Sequence, residues 1–359
     1  MKNGRAGRYL AWGTPGPRHL RRVLEAIPNV SEGRRPAVVD ALTAAAGSTP
    51  GAHLLHRDVG ADANRTVFTV AGEPAAVVAC AKTLARAAVE LVDLRGYGGT
   101  HPYLGALDVC PFVALGDTPP RAALAAAAEV SAFLAGELGV PVYAYEGSAS
   151  RPHLRRLADV RRGGLAAVAA RARADAPDYG GPLPHPTAGV SVVGARGVLV
   201  AYNVNLAAPA GAPEARAVAR AVREVGGGPR ALPGVRAIGW WQEALGCAQV
   251  SCNLTDARAA GPYDVYEAVR AEARARGCGV AGSELIGLVP RAVLAAAGRR
   301  VDAGVGDDDE RAAELAAAHL GLASVRPWRP RERVLEWAWE DAVSAAGARA
   351  PTRPRRRPA

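Results

Sequence analysis

Apolar periodicity along this chain spells strand, helix, strand, strand, helix, strand, and then spells the same order a second time. Residues 23–30 read as a strand, and residues 36–46 as a helix with Val38, Val39, Leu42 and Ala45 or Ala46 on one face. Residues 52–58 and 65–70 are strands around a turn at 60–64, the second rich in β-branched residues. Glu73-Pro74 opens a long helix to residue 92, with Val77, Ala81, Leu84, Ala88 and Leu91 at helical spacing, and an apolar strand runs from Leu107. A helix at 120–138 and a strand at 141–145 extend this unit. The second pass reads 198–204, 213–225, 235–241, 248–254, 262–276 and 280–289, the last interrupted by Gly282 and Gly287. No clear sequence repeat accompanies it. The order predicts an α/β (α+β) protein of two similarly built, ferredoxin-like split βαβ subdomains, with helices on one face of each sheet and a ligand cleft between them.

A length of 359 residues suits two domains better than one core. The expected division is a loose segment at 1–20, subdomains at 21–197 and 198–343, and a disordered basic tail at 344–359. The net charge of +10 is carried by arginine, since Lys2 and Lys82 are the only lysines among 44 basic residues. Apart from Arg353, Arg355, Arg356 and Arg357 the excess is diffuse, and the tail lacks aromatic stacking residues. This argues against nucleic acid or a membrane as partner and suits anionic small molecules. The five cysteines are odd in number and none has zinc-finger or redox-motif spacing, so they read as core thiols in a reducing compartment. Neither a signal peptide nor a run of ~18 apolar residues is visible. The expected location is the cytoplasm.

Chemistry concentrates in residues 94–115, where Gly96, Gly98, Gly99, Pro102 and Gly105 surround His101 and an apolar strand follows. A glycine-rich loop thus carries one imidazole to the mouth of a buried strand, a place where a proton-exchanging group serves catalysis. The plainer reading is a histidine that caps the strand. Asp58 ends a strand, where it either orients a partner or caps a turn, and Asp108 lies seven residues beyond His101 as a strand-end carboxylate. Asn64 and Arg65 form a polar pair at a strand start, and Arg65 can clamp a carboxylate in bidentate fashion or simply face water. Asn203, Asn205, Gln249, Ser251 and Asn253 recur on adjacent strands, and Gln249, Ser251 and Asn253 share one face. Such a row either lines the cleft or is solvated. Residues 177–189 hold too many prolines and glycines for regular structure and form a linker or a binding loop leading into the second half.

Seven blocks add a resemblance. Pro28-Asn29-Val30-Ser31-Glu32-Gly33, Asn64-Arg65-Thr66-Val67, the run from Gly99 to Phe112 containing Thr100-His101-Pro102, and Pro177-Asp178-Tyr179-Gly180 are similar to glutamate formiminotransferases. So are Ala201-Tyr202-Asn203-Val204-Asn205-Leu206, the run from Ala248 to Leu254, and the run from Gly282 to Pro290. They stand in the family order over about residues 25 to 340. The resemblance implies transfer of a formimino group from N-formiminoglutamate to tetrahydrofolate, with tetrahydrofolate as co-substrate and no metal. It gives His101 the role of general base and then acid, for which an imidazole of ordinary pKa ~6.5 is suited. Asp58 would assist it, and Asn64, Arg65, Asn203, Asn205, Gln249 and Ser251 would bind substrate. Along the folate would lie Asp178, Tyr179, Gly180, Gly181, Pro182, Leu183, Pro184, His185, Pro186, Thr187, Ala188 and Gly189.

Two departures flank the histidine. The family usually has Glu where this chain has Thr100, and Pro-Arg-Met-Gly where it has Pro102-Tyr103-Leu104-Gly105. They favour, as alternatives, a folate-binding or regulatory relative with weak catalysis, or a one-carbon transferase for another formyl or formimino donor. The cyclodeaminase domain of fused members does not follow within these 359 residues, so a separate cyclodeaminase is expected to take the product. A homodimer is left open.

Overall fold

The computed structural model describes residues 22–228 and 230–349. The loose segment expected at 1–20 lies outside them. The first part contains β1 (Val23–Ala26), β2 (Asn29–Val30), α1 (Pro36–Gly47), β3 (Ala52–Gly60), β4 (Arg65–Gly72), α2 (Pro74–Leu91), β5 (Leu107–Leu115) and α3 (Pro120–Glu137). It continues through β6 (Val142–Ala144), α4 (Leu157–Val160), α5 (Gly164–Arg171) and β7 (Ser191–Ala195). The second part contains β8 (Val200–Leu206), α6 (Ala212–Val222), β9 (Val235–Gln242), β10 (Cys247–Leu254), α7 (Pro262–Ala275) and β11 (Val280–Ile286). The helices α8 (Arg291–Val301), α9 (Asp309–Leu320), α10 (Pro330–Arg333) and α11 (Leu335–Arg349) follow.

Each part builds one sheet, and the molecule is a mixed α/β structure of two sheets. In both, the four strands of the repeated pattern lie in the order fourth, first, third, second. For the second sheet this is β11-β8-β10-β9, all antiparallel. For the first it is β5, then β1 with β2, then β4 and β3, also antiparallel. Pro28 cannot donate to a ladder, so the expected strand at 23–30 is divided into β1 and β2.

Beyond β5 the first sheet gains β7 and β6, both parallel to it. This changes the reading of residues 177–189. They do not lead into the second half but return the chain to the first sheet through β7, whose sequence Ser-Val-Val-Gly-Ala is buried throughout. A short apolar run without alternation gives no periodic signal, which is why the strand escapes a reading by pattern.

One face of the first sheet packs α1, α2 and α3 through Leu42, Val77, Leu84, Ala88, Val130 and Leu134. Its other face is also partly covered, contrary to the expected helices on one face. Residues 146–172 cover the β5–β7–β6 end through Leu154, Val160 and Val168, and α11 covers the β1–β4 end through Leu335 and Trp339. The second sheet carries α6, α7, α8 and α9 on one face around Tyr202, Val250 and Leu254. Its opposite face is polar and turns to the gap left on the first sheet. The helix α11 carries regular structure past residue 344, where a tail was expected to begin; Ala345 and Ala346 favour helix there. Residues 350–359 of that tail lie outside the described residues.

Residues 177–189 end in a tight closure that fixes their exit into β7. His185 and Gly189 exchange backbone hydrogen bonds of 2.8 and 3.0 Å, and Gly189 has φ +68°. A Cβ at Gly189 would overlap the Leu104 carbonyl oxygen. Gly189→Ala should therefore destabilise the fold by about 1–3 kcal/mol, read as a lower urea midpoint. An unchanged midpoint would show that this closure relaxes freely.

Candidate active site

His101 leaves a loop that is tied to the β3–β4 turn. Thr100 directs both its N–H and its hydroxyl to the Asp62 carbonyl, at 3.0 and 3.1 Å. Asn64, at φ +47°, accepts from Gly33 N–H at 3.0 Å and donates to the Gly98 carbonyl at 3.1 Å. Tyr97 hydroxyl donates to the Asn64 carbonyl, and its ring meets Tyr103 edge-on at 4.2 Å. Gly99 is needed because a Cβ there would lie 2.5 Å from the Ala63 carbonyl oxygen. The loop is therefore held in place, and Asn64 acts on its backbone.

The loop enters β5 over a buried carboxylate. Asp108 is fully buried and accepts Leu104 N–H at 2.7 Å. Its Oδ2 accepts from Arg65 Nη1 at 2.5 Å and also from Arg161 Nη2. Arg65 directs its Nε to Asn29 Oδ1 at 2.9 Å. Burial opposes the charge of Asp108, but Arg161 and Arg65 hold its carboxyl down at about 2. Two guanidiniums thus share one carboxylate, leaving surplus positive charge beside the imidazole.

That surplus acts on His101. Its Nδ1 lies 2.7 Å from the Pro102 carbonyl, which can only accept, so the proton sits on Nδ1 and the Nε2 lone pair is free. Burial and then the positive charges of Arg65 and Arg161 push its pKa down to about 3. The imidazole is neutral at neutral pH.

The wall opposite comes from the second sheet. Trp240 meets the His101 ring at 6.0 Å and 66°. Its indole Nε1 donates to Gln249 Oε1 at 2.9 Å, and Gln249 Nε2 donates to Asn205 Oδ1 at 2.8 Å and Glu284 Oε1 at 3.0 Å. Asn203 Nδ2 also reaches Glu284 Oε1, at 3.2 Å. Gln249, Asn203 and Asn205 are buried, so the polar row faces protein rather than water. Ser251 lies beside them, paired in register with Asn203 and Ile238.

The row continues to the junction of the two parts. Arg326 bridges Glu284 Oε2 at 3.4 Å and Asp58 Oδ1 at 2.6 Å. Asp58 Oδ2 accepts Gly287 N–H at 2.6 Å and lies 3.3 Å from Arg333 Nη1, which donates to His56 Nε2 at 2.6 Å. Burial opposes ionisation of Asp58, yet His56, Arg333 and Arg326 hold its carboxyl well below the usual range. These bonds point Asp58 at the junction, whereas His101 meets the Pro102 carbonyl. Two further contacts join the parts: Ala244 N–H to Asp62 Oδ2 at 2.6 Å and Arg236 Nη1 to Glu146 Oε1 at 2.8 Å.

Asp178 directs its carboxylate inward, to Ala144 N–H, Ser150 and Arg151 at 2.7–3.0 Å. Tyr179 pairs its backbone with Val142, and His185 Nδ1 accepts from Ala188 N–H at 3.0 Å. Pro186 is exposed, and the Thr187 and Ala188 carbonyls accept from Leu94 and Ala106. Gly180, Gly181, Pro182 and Leu183 form the exposed span, with Pro184 half-buried behind it. A groove of about 220 Å³ beside Tyr179 and α3 is separate from His101 and holds no carboxylate, imidazole or cation. Among the described residues no cluster of His, Cys, Asp or Glu is placed to hold a metal, and no helix is long and apolar enough to cross a membrane.

Residues 23–196 match the family pattern described as "Formiminotransferase domain, N-terminal subdomain", and residues 201–340 match "Formiminotransferase domain". A "Glutamate formimidoyltransferase" of Streptococcus pyogenes serotype M1 is 40% identical over 77% of this chain and 91% of its own length. The chain belongs to the formiminotransferase family. A Thermoplasma acidophilum protein of the same name is 34% identical over 76% of this chain and 89% of its own. The "Formimidoyltransferase-cyclodeaminase" of Rattus norvegicus is 38% identical over 90% of this chain, which spans 61% of that relative's length.

The structure places His101, Arg65 and the row of amides, all singled out in the sequence, beside Arg161, Trp240, Glu284, Arg326 and Arg333, which were not. Glu284 carried a signal, the one charged residue in the strand Val280–Ile286. The arginines had none, because 42 of the 44 basic residues are arginine, by subtraction of Lys2 and Lys82.

Removing the charge of Asp108 by Asp108→Asn leaves two buried guanidiniums unpaired. Stability should fall by about 3–5 kcal/mol in chemical denaturation; a loss below that of a surface ion pair would contradict the arrangement. A second outcome concerns pH. His101 is ~6.5 when unfolded and about 3 when folded, so in that window the unfolded chain binds a proton the folded chain refuses. Native stability falls as pH falls through the window, and His101→Gln should flatten that part of the urea-melt profile.

Proposed function

We propose that this protein transfers a formimino group from N-formimino-L-glutamate to tetrahydrofolate. The similarity to a stand-alone glutamate formimidoyltransferase over 91% of that protein carries the reading. The geometry supports it. A neutral imidazole with a free Nε2 can take the proton that the attacking folate nitrogen must lose and return it to the departing glutamate nitrogen. Low basicity makes the protonated imidazole a strong acid for the second step. For the first step, a substrate carboxylate beside Arg65 and Arg161 offsets the charge that depresses the imidazole.

The donor therefore takes its place on the guanidinium side of His101. Gln249, Asn203 and Asn205 act on substrate through Trp240, and Ser251 borders the same face. Asp58 acts through the junction, by keeping the polar row in register with the first sheet. The span Gly180–Leu183 is offered as a flank of the folate site, with Asp178 as the anchor of that loop. Residues 21–197 and 198–343 work as two subdomains of one catalytic unit in the cytoplasm. The product calls for a deaminating activity next, the second activity in the name of the fused relatives.

Glutamate release from mixtures of the protein with formiminoglutamate and tetrahydrofolate tests the reading. His101→Ala should slow release by about a hundredfold or more. Wild-type protein that releases no more glutamate than His101→Ala would remove it, and saturable folate binding without release would favour a binding protein instead.

A further inference from the structure

Turns from the two sheets meet beside the histidine loop. The turn between β3 and β4 carries Asp62, and the turn Glu243–Leu245 between β9 and β10 carries Ala244. Asp62 Oδ2 accepts the Ala244 N–H at 2.6 Å. The Asp62 carbonyl accepts both the N–H and the hydroxyl of Thr100, the residue before His101, at 3.0 and 3.1 Å. Arg34 braces the same turn by directing its Nε to the Ala61 carbonyl at 2.8 Å. On the other side, Trp240 lies on the strand that leads into the Ala244 turn and meets the His101 ring at 6.0 Å. Asp62 therefore stands between the loop that carries the imidazole and the strand that carries the indole.

We propose that Asp62 is a positioning residue for the transfer: its carboxylate latches the β9–β10 turn to the loop of His101 and sets the imidazole against Trp240. This rests on the formimino-transfer reading above and adds the residue that aligns the two walls. The first N–H groups of a helical turn have no partner within it, and Gln242, which precedes this one, makes no side-chain cap. Asp62 supplies that acceptor from the other part, and a carboxylate is the stronger kind. The far junction is different in character: Asp58 is buried with Gly287, Arg326 and Arg333, whereas Asp62 is half-buried and Ala244 exposed. A bond in contact with water opens at lower cost than a buried network. With the latch made, His101 and Trp240 are in register; with it broken, the two turns part while the Asp58 junction holds. Thr100 stands where the family usually has Glu, so its hydroxyl bond to Asp62 is this chain's own.

The test compares turnover with access to His101. Asp62→Ala should lower kcat about tenfold, with the KM of each substrate within about twofold of wild type and the melting temperature near that of wild type. Asp62→Asn keeps an acceptor for the Ala244 N–H and should recover most of the loss, to within about threefold of wild type. Thr100→Val removes a hydroxyl from the same relay, so the double variant with Asp62→Ala should be no slower than the slower single variant, whereas independent effects would multiply. Carbethoxylation of His101 by diethyl pyrocarbonate without substrates, read by peptide mass, should be about threefold faster in Asp62→Ala. A kcat for Asp62→Ala within about twofold of wild type, an Asn variant as slow as the Ala variant, multiplying losses in the double variant, or equal modification of His101 overturns the proposal. Wild type that transfers no formimino group removes the assigned reaction, and the modification rates then decide the latch: a faster rate in Asp62→Ala keeps it and an equal rate overturns it.

Discussion

The Asp108 carboxylate is the interaction on which the site depends. A fully buried acid is tolerated only when its charge is answered by charge-assisted hydrogen bonds, and here β4 supplies Arg65 while the chain between α4 and α5 supplies Arg161. The same carboxylate receives the N–H of Leu104, three residues beyond His101. One group therefore fixes where the histidine loop joins β5, pulls the covering segment onto the sheet, and gathers positive charge beside the imidazole. The low basicity of His101 follows from its shielding and from that charge. It is a consequence of how the loop is anchored.

From Trp240 to Arg333 the second sheet answers with an unbroken line of polar contacts. Gln249, Glu284, Asp58 and Arg333 in this line are buried, where a missing partner is costly and a complete set defines one geometry. Asp58 belongs at the far end of this line, so its effect on chemistry runs through the alignment of the two parts. Carboxylate and guanidinium alternate there, Glu284, Arg326, Asp58, Arg333, so each of these four charges meets an opposite one.

The element order was legible because helices and strands that pack one face on a core repeat apolar residues at 3.6 or 2. The strand β7 was not, because it is buried on both faces and only five residues long. His101 stood out as a lone imidazole among glycines. The direction of Asp58 could not be read, since its partners Arg326 and Arg333 lie 268 and 275 residues away in a chain full of arginines. The amides of β8 and β10 were placed on one face by period two, but whether they meet water, ligand or one another depends on what covers them. The first sheet covers part of the face and leaves Ile238 and Asn253 open.

Thr100 and Tyr103, which depart from the common family pattern beside His101, have structural work in this chain. Thr100 is bound twice to the Asp62 carbonyl, and the Asp62 carboxylate is bound in turn to Ala244 of the second part. Tyr103 packs edge-on against Tyr97, whose hydroxyl closes onto Asn64. Neither side chain is directed at the imidazole. A glutamate at position 100 would have no donor hydroxyl to give the Asp62 carbonyl, and an arginine at 103 would bring a third cation towards one already crowded by Arg65 and Arg161. With two cations and one carboxylate beside it, His101 already has a depressed pKa, and further positive charge would push it lower. The aromatic residue keeps the loop closed without adding to that charge, so the departures are compatible with proton transfer at Nε2.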